Sequence, residues 1–164
     1  MSALTQSRLK EVLFYDKDTG HFIRLTSPCS GKNIGDVAGG HDAKGYIVLR
    51  VDGVRYKAHR LAFFYMTSKW PINHVDHKDG IRDNNKWKNI REATIAENNQ
   101  NLTKVRVNNT SGYQGVSFSK AMKKWRSQIS VGGKITDIGY YETPKQAHDA
   151  YAERRKIDHP FNTL

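Results

Sequence analysis

Residues 72–102 read INHVDHKDGIRDNNKWKNIREATIAENNQNL, and the order of turn formers, apolar positions and cap signals in this stretch decides the fold around it. Asn73–His77 has the length and alternation of a strand. Asp79-Gly80 turns the chain, since glycine accepts the positive φ of a tight turn. A polar loop runs through Asn84 and Asn85, and Asn89–Glu92 returns as a second strand. Thr94-Ile95-Ala96-Glu97 is a capping box, with Thr at the N-cap and Glu at N3. It opens a short helix that carries Asn98 and Asn101. The order is strand, loop, strand, helix.

The same stretch concentrates residues suited to phosphodiester hydrolysis. That reaction needs a positioned water, a base to deprotonate it, and positive charge on the phosphate and leaving oxygen; neutral histidine can be the base, and a divalent ion can supply the charge. Asp76 and His77 are neighbours, so in an extended strand they point to opposite faces. Bringing both to one phosphate requires a bend or bulge, or approach from two sides. Asn98 lies one turn into the capped helix, where a strand–helix pack could set its amide oxygen near the Asp76 carboxylate. Such an oxygen site suits Mg²⁺ or Mn²⁺ better than Zn²⁺. The single cysteine, Cys29, excludes both an intramolecular disulfide and a cysteine-based zinc cluster within one chain.

Asp76-His77-Lys78-Asp79-Gly80, Asn84-Asn85, Asn89-Ile90-Arg91 and Glu97-Asn98 together resemble the ββα-metal motif of HNH endonucleases of the phage homing type, as does the upstream His59-Arg60-Leu61-Ala62. The resemblance covers roughly residues 45–102. It implies His77 as general base, Asp76 and Asn98 as ligands of one metal, and Asn89 as the residue that braces the loop of the catalytic set. His59 and Arg60 are candidates for phosphate contact. His74 is a decoy without a preceding acid, and His21, His41, His148 and His159 read as ordinary hydrogen-bonding residues.

Towards the N-terminus, Leu9, Val12 and Leu13 have helical spacing within residues 4–13. Phe14-Tyr15 and His21–Leu25 flank Asp16–Gly20 as two short strands about a turn, and residues 26–44 read as loop. Tyr46–Val51 and Val54–Lys57 flank Asp52-Gly53, a hairpin signal whose two turn positions both need positive φ. His59–Met66 suits a short buried helix.

Towards the C-terminus, Asn108–Gly112 reads as linker, followed by strands at Gln114–Ser119, Trp125–Val131 and Lys134–Tyr140. Thr143-Pro144-Lys145-Gln146 starts a helix with Pro at N1 and Gln at N3, on which Ala147, Ala150, Tyr151 and Arg154 share a face. Strand alternation sets Trp125, Ser127, Ile129 and Val131 against Arg126, Gln128 and Ser130. Ser111–Val116, Lys124-Trp125-Arg126, Gly139-Tyr140-Tyr141 and Ala147–Ala152 look like an AP2 DNA-binding domain. That resemblance implies a three-stranded sheet in the major groove, backed by a helix. Arg126 and Gln128 would face the bases, Lys123, Lys124 and Lys134 the phosphates, and Gln114 stands where the family commonly has an Arg. No plant-type target sequence is implied.

The chain has 164 residues and a formal charge of +11, with a mean hydropathy of −0.73. No apolar run approaches the roughly 20 residues of a membrane span. The 39 residues between Glu97 and Asp137 contain no acid but seven Lys or Arg, a face for polyanions. The expectation is an α+β chain: a nuclease domain over 1–103 with a β-rich part at 1–58 and a ββα core at 72–102, a linker at 104–110, an AP2-like domain at 111–158 and a tail. Its activity would be Mg²⁺- or Mn²⁺-dependent cleavage of double-stranded DNA, with no membrane partner, in a bacterial host's cytoplasm if phage-encoded. One site per chain predicts nicking by a monomer, and a double-strand cut would need a dimer or sequential nicks. The rivals are a DNA-binding regulator with an inactive nuclease block, and an RNA-binding or RNA-cleaving protein.

Overall fold

The computed structural model describes residues 4–27, 31–100, 105 and 108–161. Cys29, Asn101 and, in the expected linker, Lys104, Arg106 and Val107 lie outside them. The chain divides into two compact units, Met1–Thr94 and Ile95–Leu164, each with antiparallel sheet and helix, so the chain is α+β.

In the first unit, helix α1 (Gln6–Val12) is capped by Thr5, whose hydroxyl accepts from the Arg8 amide at 3.2 Å. Strands β1 (Leu13–Tyr15) and β2 (Phe22–Arg24) form the expected hairpin. Its turn is stapled by the Asp16 carboxylate, which accepts from the Asp18 amide at 2.9 Å and the Thr19 hydroxyl at 2.7 Å. Residues 26–44 are not wholly loop. They contain β3 (Val37–Ala38), which pairs with β2, and β4 (Gly40–His41), which pairs with β5 (Ile47–Val51). Two-residue strands are too short to show a period in the sequence. β5 and β6 (Val54–Lys57) close about Asp52 and Gly53 at φ 47° and 81°, as a primed two-residue turn requires.

Helix α2 (Ala58–Thr67) follows without a break and ends at Ser68, which sits at φ 62° and returns its amide to the Phe64 carbonyl at 3.0 Å. Its buried side, including Leu61, Ala62 and Phe64, joins Leu9, Leu13, Phe22, Leu49, Val75 and Ile90 in one apolar core. Leu9, Leu61 and Phe22 are essentially fully buried, and each contributes about 1.5–3 kcal/mol by burial. Trp70 closes the end of the core by stacking on Phe64 at 4.3 Å and on Tyr56 at 5.5 Å. Strands β7 (His74–His77) and β8 (Ile90–Ala93) then pair, with a 3₁₀ turn at Trp87–Asn89 leading into β8.

The second unit begins with helix α3 (Ile95–Gln100), directly after Thr94 as the capping signal requires. Its sheet has the order β11–β10–β9, from β9 (Val116–Ser119), β10 (Lys124–Val131) and β11 (Lys134–Tyr141). Helix α4 (Pro144–Asp158) packs on it, opened by a complete Thr143/Gln146 capping box with Pro144 in the first turn. The core is small: Val116, Ile129, Ala147 and Tyr151, with Ser127 buried among them. Gly115, at φ 73°, lets Tyr151 lie against the backbone, since a Cβ there would fall 2.2 Å from the ring.

Two expected faces are corrected. The buried row on α4 is Ala147, Tyr151 and Arg155, while Arg154 is exposed and paired with Asp158. The helix is thus rotated by roughly 50° from the expected face, because Arg155 has partners inside: its Nη1 donates to Gln114 Oε1 at 3.1 Å and its Nη2 to the Gln100 carbonyl at 2.6 Å. On β10, Ser127 and Ile129 face inward as expected, but Val131 is exposed at the hairpin tip. A bulge at Ser127/Gln128 also breaks the simple alternation.

Candidate active site

The β7–β8 ribbon is regular, with Asp76 opposite Arg91 and His77 opposite Ile90. Val75 and His77 therefore turn inward, while His74 and Asp76 occupy the other side. No bulge brings Asp76 and His77 onto one face, so they serve opposite sides of the strand. Asp76 is held by its cross-strand neighbour: Arg91 Nη2 and Nε donate to its Oδ2 at 3.1 and 3.3 Å, with both side chains largely buried.

His77 is 4% exposed. Its Nε2 lies 3.0 Å from Asn85 Oδ1, and its ring meets His59 edge-on at 4.9 Å and Tyr46 at 6.1 Å. His59 projects from the first turn of α2 and is as buried as His77. Burial, then the nearby His77, Lys57 and Arg60, lowers its pKa to about 3, so it is a neutral floor to the site. That burial removes His59 from direct contact with a phosphate. Arg60 is spent locally, donating to the Pro71 and Asn73 carbonyls at 3.3 Å each. It ties α2 to the entry of β7.

Asn89 grips the loop between the two strands. Its Nδ2 donates to Asp79 Oδ1 at 3.0 Å and to the Asn84 carbonyl at 2.7 Å, and its Oδ1 accepts from the Asp79 amide at 3.2 Å. Burial pushes the Asp79 carboxyl pKa upward, but the Ile81 amide, Asn84 and Asn89 hold it below the usual carboxylate range. These three hydrogen bonds of Asn89 stay inside the loop. Asn98 is a half-buried residue of α3, within the second unit.

Among the described residues, no group of three or more His, Cys, Asp or Glu side chains could hold a metal ion. A lone carboxylate suits Mg²⁺ or Mn²⁺, which bind through one or two carboxylates plus substrate phosphate oxygens, better than zinc. Asp76, a partly buried hard-oxygen donor, fits such an ion.

Several residues at the site carried no role in the sequence. Asn85 is one, though Asn84-Asn85 was part of the motif. Tyr46 is another, with Lys57 Nζ 4.1 Å and Arg82 Cζ 5.1 Å from its ring centroid. Further along the same hairpin face, Arg50 and Arg55 sit directly opposite each other. They open on a cleft of about 740 Å³ that Arg24, Lys32, His41 and the ion pair of Arg8 with Asp52 also line. Like charges in direct register destabilise a sheet. The signal was readable: residues two positions out on each side of a two-residue turn are cross-strand partners.

In the second unit, Lys123 occupies the β9–β10 turn at φ 53° and is exposed, as is Lys134 at the tip of the next hairpin. Lys124 pairs with Glu142 at 2.8 Å. Arg126 donates through Nε to Asp137 at 2.6 Å. Gln128 is half-buried beside the bulge. Gln114 is half-buried, its carbonyl accepting from His148 Nδ1 at 3.3 Å and its side-chain oxygen from Arg155 Nη1 at 3.1 Å. Trp125 packs edge-on against Phe118 at 5.2 Å.

The β7–β8 pair thus holds a buried imidazole and a carboxylate on opposite sides, with a clasped loop between. Residues 56–100 match the family described as HNH endonuclease. Protein 3.8 of Escherichia phage T7 is 39% identical over 88 residues, which span 54% of this chain and 72% of that protein. The chain belongs to the HNH endonuclease family. A solved structure titled "DNA binding and cleavage by the HNH homing endonuclease I-HmuI" is similar at a TM-score of 0.47 and 22% identity, covering 96% of this chain and 87% of that one. Among the described residues, no helix is long and apolar enough to cross a membrane.

Proposed function

We propose that this chain is a metal-dependent endonuclease of double-stranded DNA, of the phage homing type. The observation that carries the reading is His77, held by Asn85 on the inward side of β7 while Asp76 stands on the other side. His77 accepts the proton of the attacking water. Asp76 and Asn98 are the residues that would hold Mg²⁺ or Mn²⁺, which when bound would supply positive charge to the phosphate and the departing 3′ oxygen. Arg91 orients Asp76, Asn89 keeps the loop closed, and Lys57 and Arg82 beside Tyr46 offer positive charge near His77. Arg50 and Arg55 extend that charge along the hairpin, which supports a polyanion lying along the first unit.

The domain reading keeps residues 1–103 as nuclease, 104–110 as linker and 111–158 as an AP2-like reader. A three-stranded antiparallel sheet has a shape that fits the major groove. Lys123, Lys124 and Lys134 then contact phosphates, and Arg126 and Gln128 face the bases. Each chain nicks one strand. Supercoiled plasmid incubated with protein and Mg²⁺ or Mn²⁺ should convert to nicked circles, stop with EDTA, and slow at least about 100-fold in His77→Ala, the usual worth of a general base. Full cleavage by His77→Ala would remove the assignment. Preference for structured RNA over duplex DNA in competition would replace the substrate.

A further inference from the structure

We infer that Asn85 is a positioning residue: it fixes His77 in the tautomer that carries its hydrogen on Nε2, leaving Nδ1 as the basic nitrogen. The catalytic consequence rests on the reading of His77 as the base. The tautomer does not.

Asn85 is 2% exposed, among the most buried side chains of the unit. An amide buried that deeply is costly unless its groups are matched. Both ends are used: Nδ2 donates to the Asp83 carbonyl at 3.2 Å, and Oδ1 faces His77 Nε2 at 3.0 Å. This pattern decides which way the amide points. Reversing it would set Oδ1 against the Asp83 carbonyl, acceptor against acceptor, so only one orientation satisfies both contacts. An amide oxygen accepts and never donates, so Nε2 must bear the hydrogen. A neutral imidazole carries one N–H, and Nδ1 is therefore its proton acceptor.

Asn85 is in turn held from three directions. Its amide donates to the Asp83 carbonyl at 2.9 Å, and its own carbonyl accepts the Tyr15 hydroxyl at 2.6 Å. Gly20 lies against its backbone so closely that a Cβ would sit 2.5 Å from the Asn85 carbonyl carbon. The β1–β2 hairpin thus clamps Asn85, and Asn85 aims His77. Neighbouring asparagines divide the work: Asn84 offers its carbonyl to Asn89, which braces the loop, while Asn85 sets the imidazole. On the other side of the ring, His59 and Tyr46 limit its rotation.

The test is the full-length, metal-free protein labelled with ¹⁵N-histidine, in EDTA at pH 8, observed by long-range ¹H–¹⁵N correlation. His77 is assigned by its loss in His77→Ala. The expected wild-type pattern is a single Nε2–H tautomer with the Nδ1 resonance far downfield. Asn85→Asp, which keeps an acceptor, retains that tautomer, and Asn85→Leu gives a mixture. In cleavage assays Asn85→Leu lowers kcat by roughly 10- to 100-fold, the usual worth of a group that orients a histidine, with KM unchanged, and Asn85→Asp recovers most of it. An Nδ1–H tautomer in the wild type overturns the inference even if Asn85→Leu does not fold. So does a folded Asn85→Leu whose tautomer is unchanged. A tautomer behaving as stated alongside undiminished cleavage by His77→Ala would support the Asn85 contact and reject the base.

Discussion

Gly20→Ala tests whether the N-terminal hairpin sets the geometry of the site. Gly20 sits at φ 80°, where an L side chain costs roughly 1–2 kcal/mol. The added Cβ would also lie 2.5 Å from both the Asn85 carbonyl carbon and the Lys86 nitrogen, and 2.9 Å from the Asn85 oxygen. All three are backbone atoms, so no side chain can swing aside. Restoring ordinary contact requires the segments to part by roughly 1 Å, which stretches the 2.6 Å bond from Tyr15 to the Asn85 carbonyl; a hydrogen bond is worth about 1 kcal/mol. With the lost packing, about 3–4 kcal/mol of stability should go. Gly53→Ala is the control, because Gly53 has a similar φ of 81° but nothing within 4 Å of an added Cβ. It should lose only the backbone cost. Urea unfolding measures both, and plasmid nicking at a concentration where each variant is folded measures the site. Gly20→Ala should lower kcat beyond its loss of folded protein, whereas Gly53→Ala should not. Equal stabilities, or an unchanged kcat in a destabilised Gly20→Ala, would refute the coupling.

His59 makes the fold acid-sensitive. Its pKa falls from 6.5 to about 3 on folding, so the unfolded chain takes up the proton first and the stability present above pH 6.5 drains away as pH falls. The slope is about 1.4 kcal/mol per pH unit, so His59→Phe should recover about 2 kcal/mol of the loss between pH 6.5 and 5 in urea titrations at the two pH values. Arg50→Ala with Arg55→Ala should reduce the salt slope of DNA binding by about 2, while Lys123→Ala, Lys124→Ala and Lys134→Ala together reduce it by about 3, as read from filter binding over a salt series. Without DNA, the Arg50/Arg55 variant should be at least as stable as the parent, because a like-charge cross-strand pair is gone. Asp137→Asn should tighten binding roughly fivefold to tenfold near 0.1 M salt by freeing Arg126, with stability changed by under about 1 kcal/mol.

What the sequence disclosed, it disclosed through local rules. Asp52-Gly53 can form one kind of hairpin, and Thr143-Pro144-Lys145-Gln146 one kind of helix start, because each depends on a few adjacent residues. The opposite facing of Asp76 and His77 follows from strand geometry alone. What stayed hidden depends on partners distant in the chain. Arg91 against Asp76 needs the β7–β8 register. Asn85 against His77 needs the loop's path, and Arg155 instead of Arg154 needs Gln114 and Gln100 to be where they are. His59 was a candidate for phosphate contact through the resemblance of His59-Arg60-Leu61-Ala62, and only the packing of α2 shows it buried against His77.

The site also shows how a small unit can hold a buried imidazole firmly. The ring neighbours of His77 are Tyr46 and the neutral His59. Packing of these two rings restricts the imidazole, but it does not choose which nitrogen carries the hydrogen. Directional bonds supply what packing lacks: Tyr15 to the Asn85 backbone, Asn85 to His77, Asn89 across the loop and Arg91 to Asp76. Each of these has a partner on a different segment of the same unit, so any local opening of the β1–β2 hairpin or of the 78–84 loop releases a catalytic group. On the reading of His77 as base, activity should therefore fail before global unfolding as urea rises. Loss of nicking that coincides with the unfolding midpoint would mean that the core, and not this chain of bonds, holds the site.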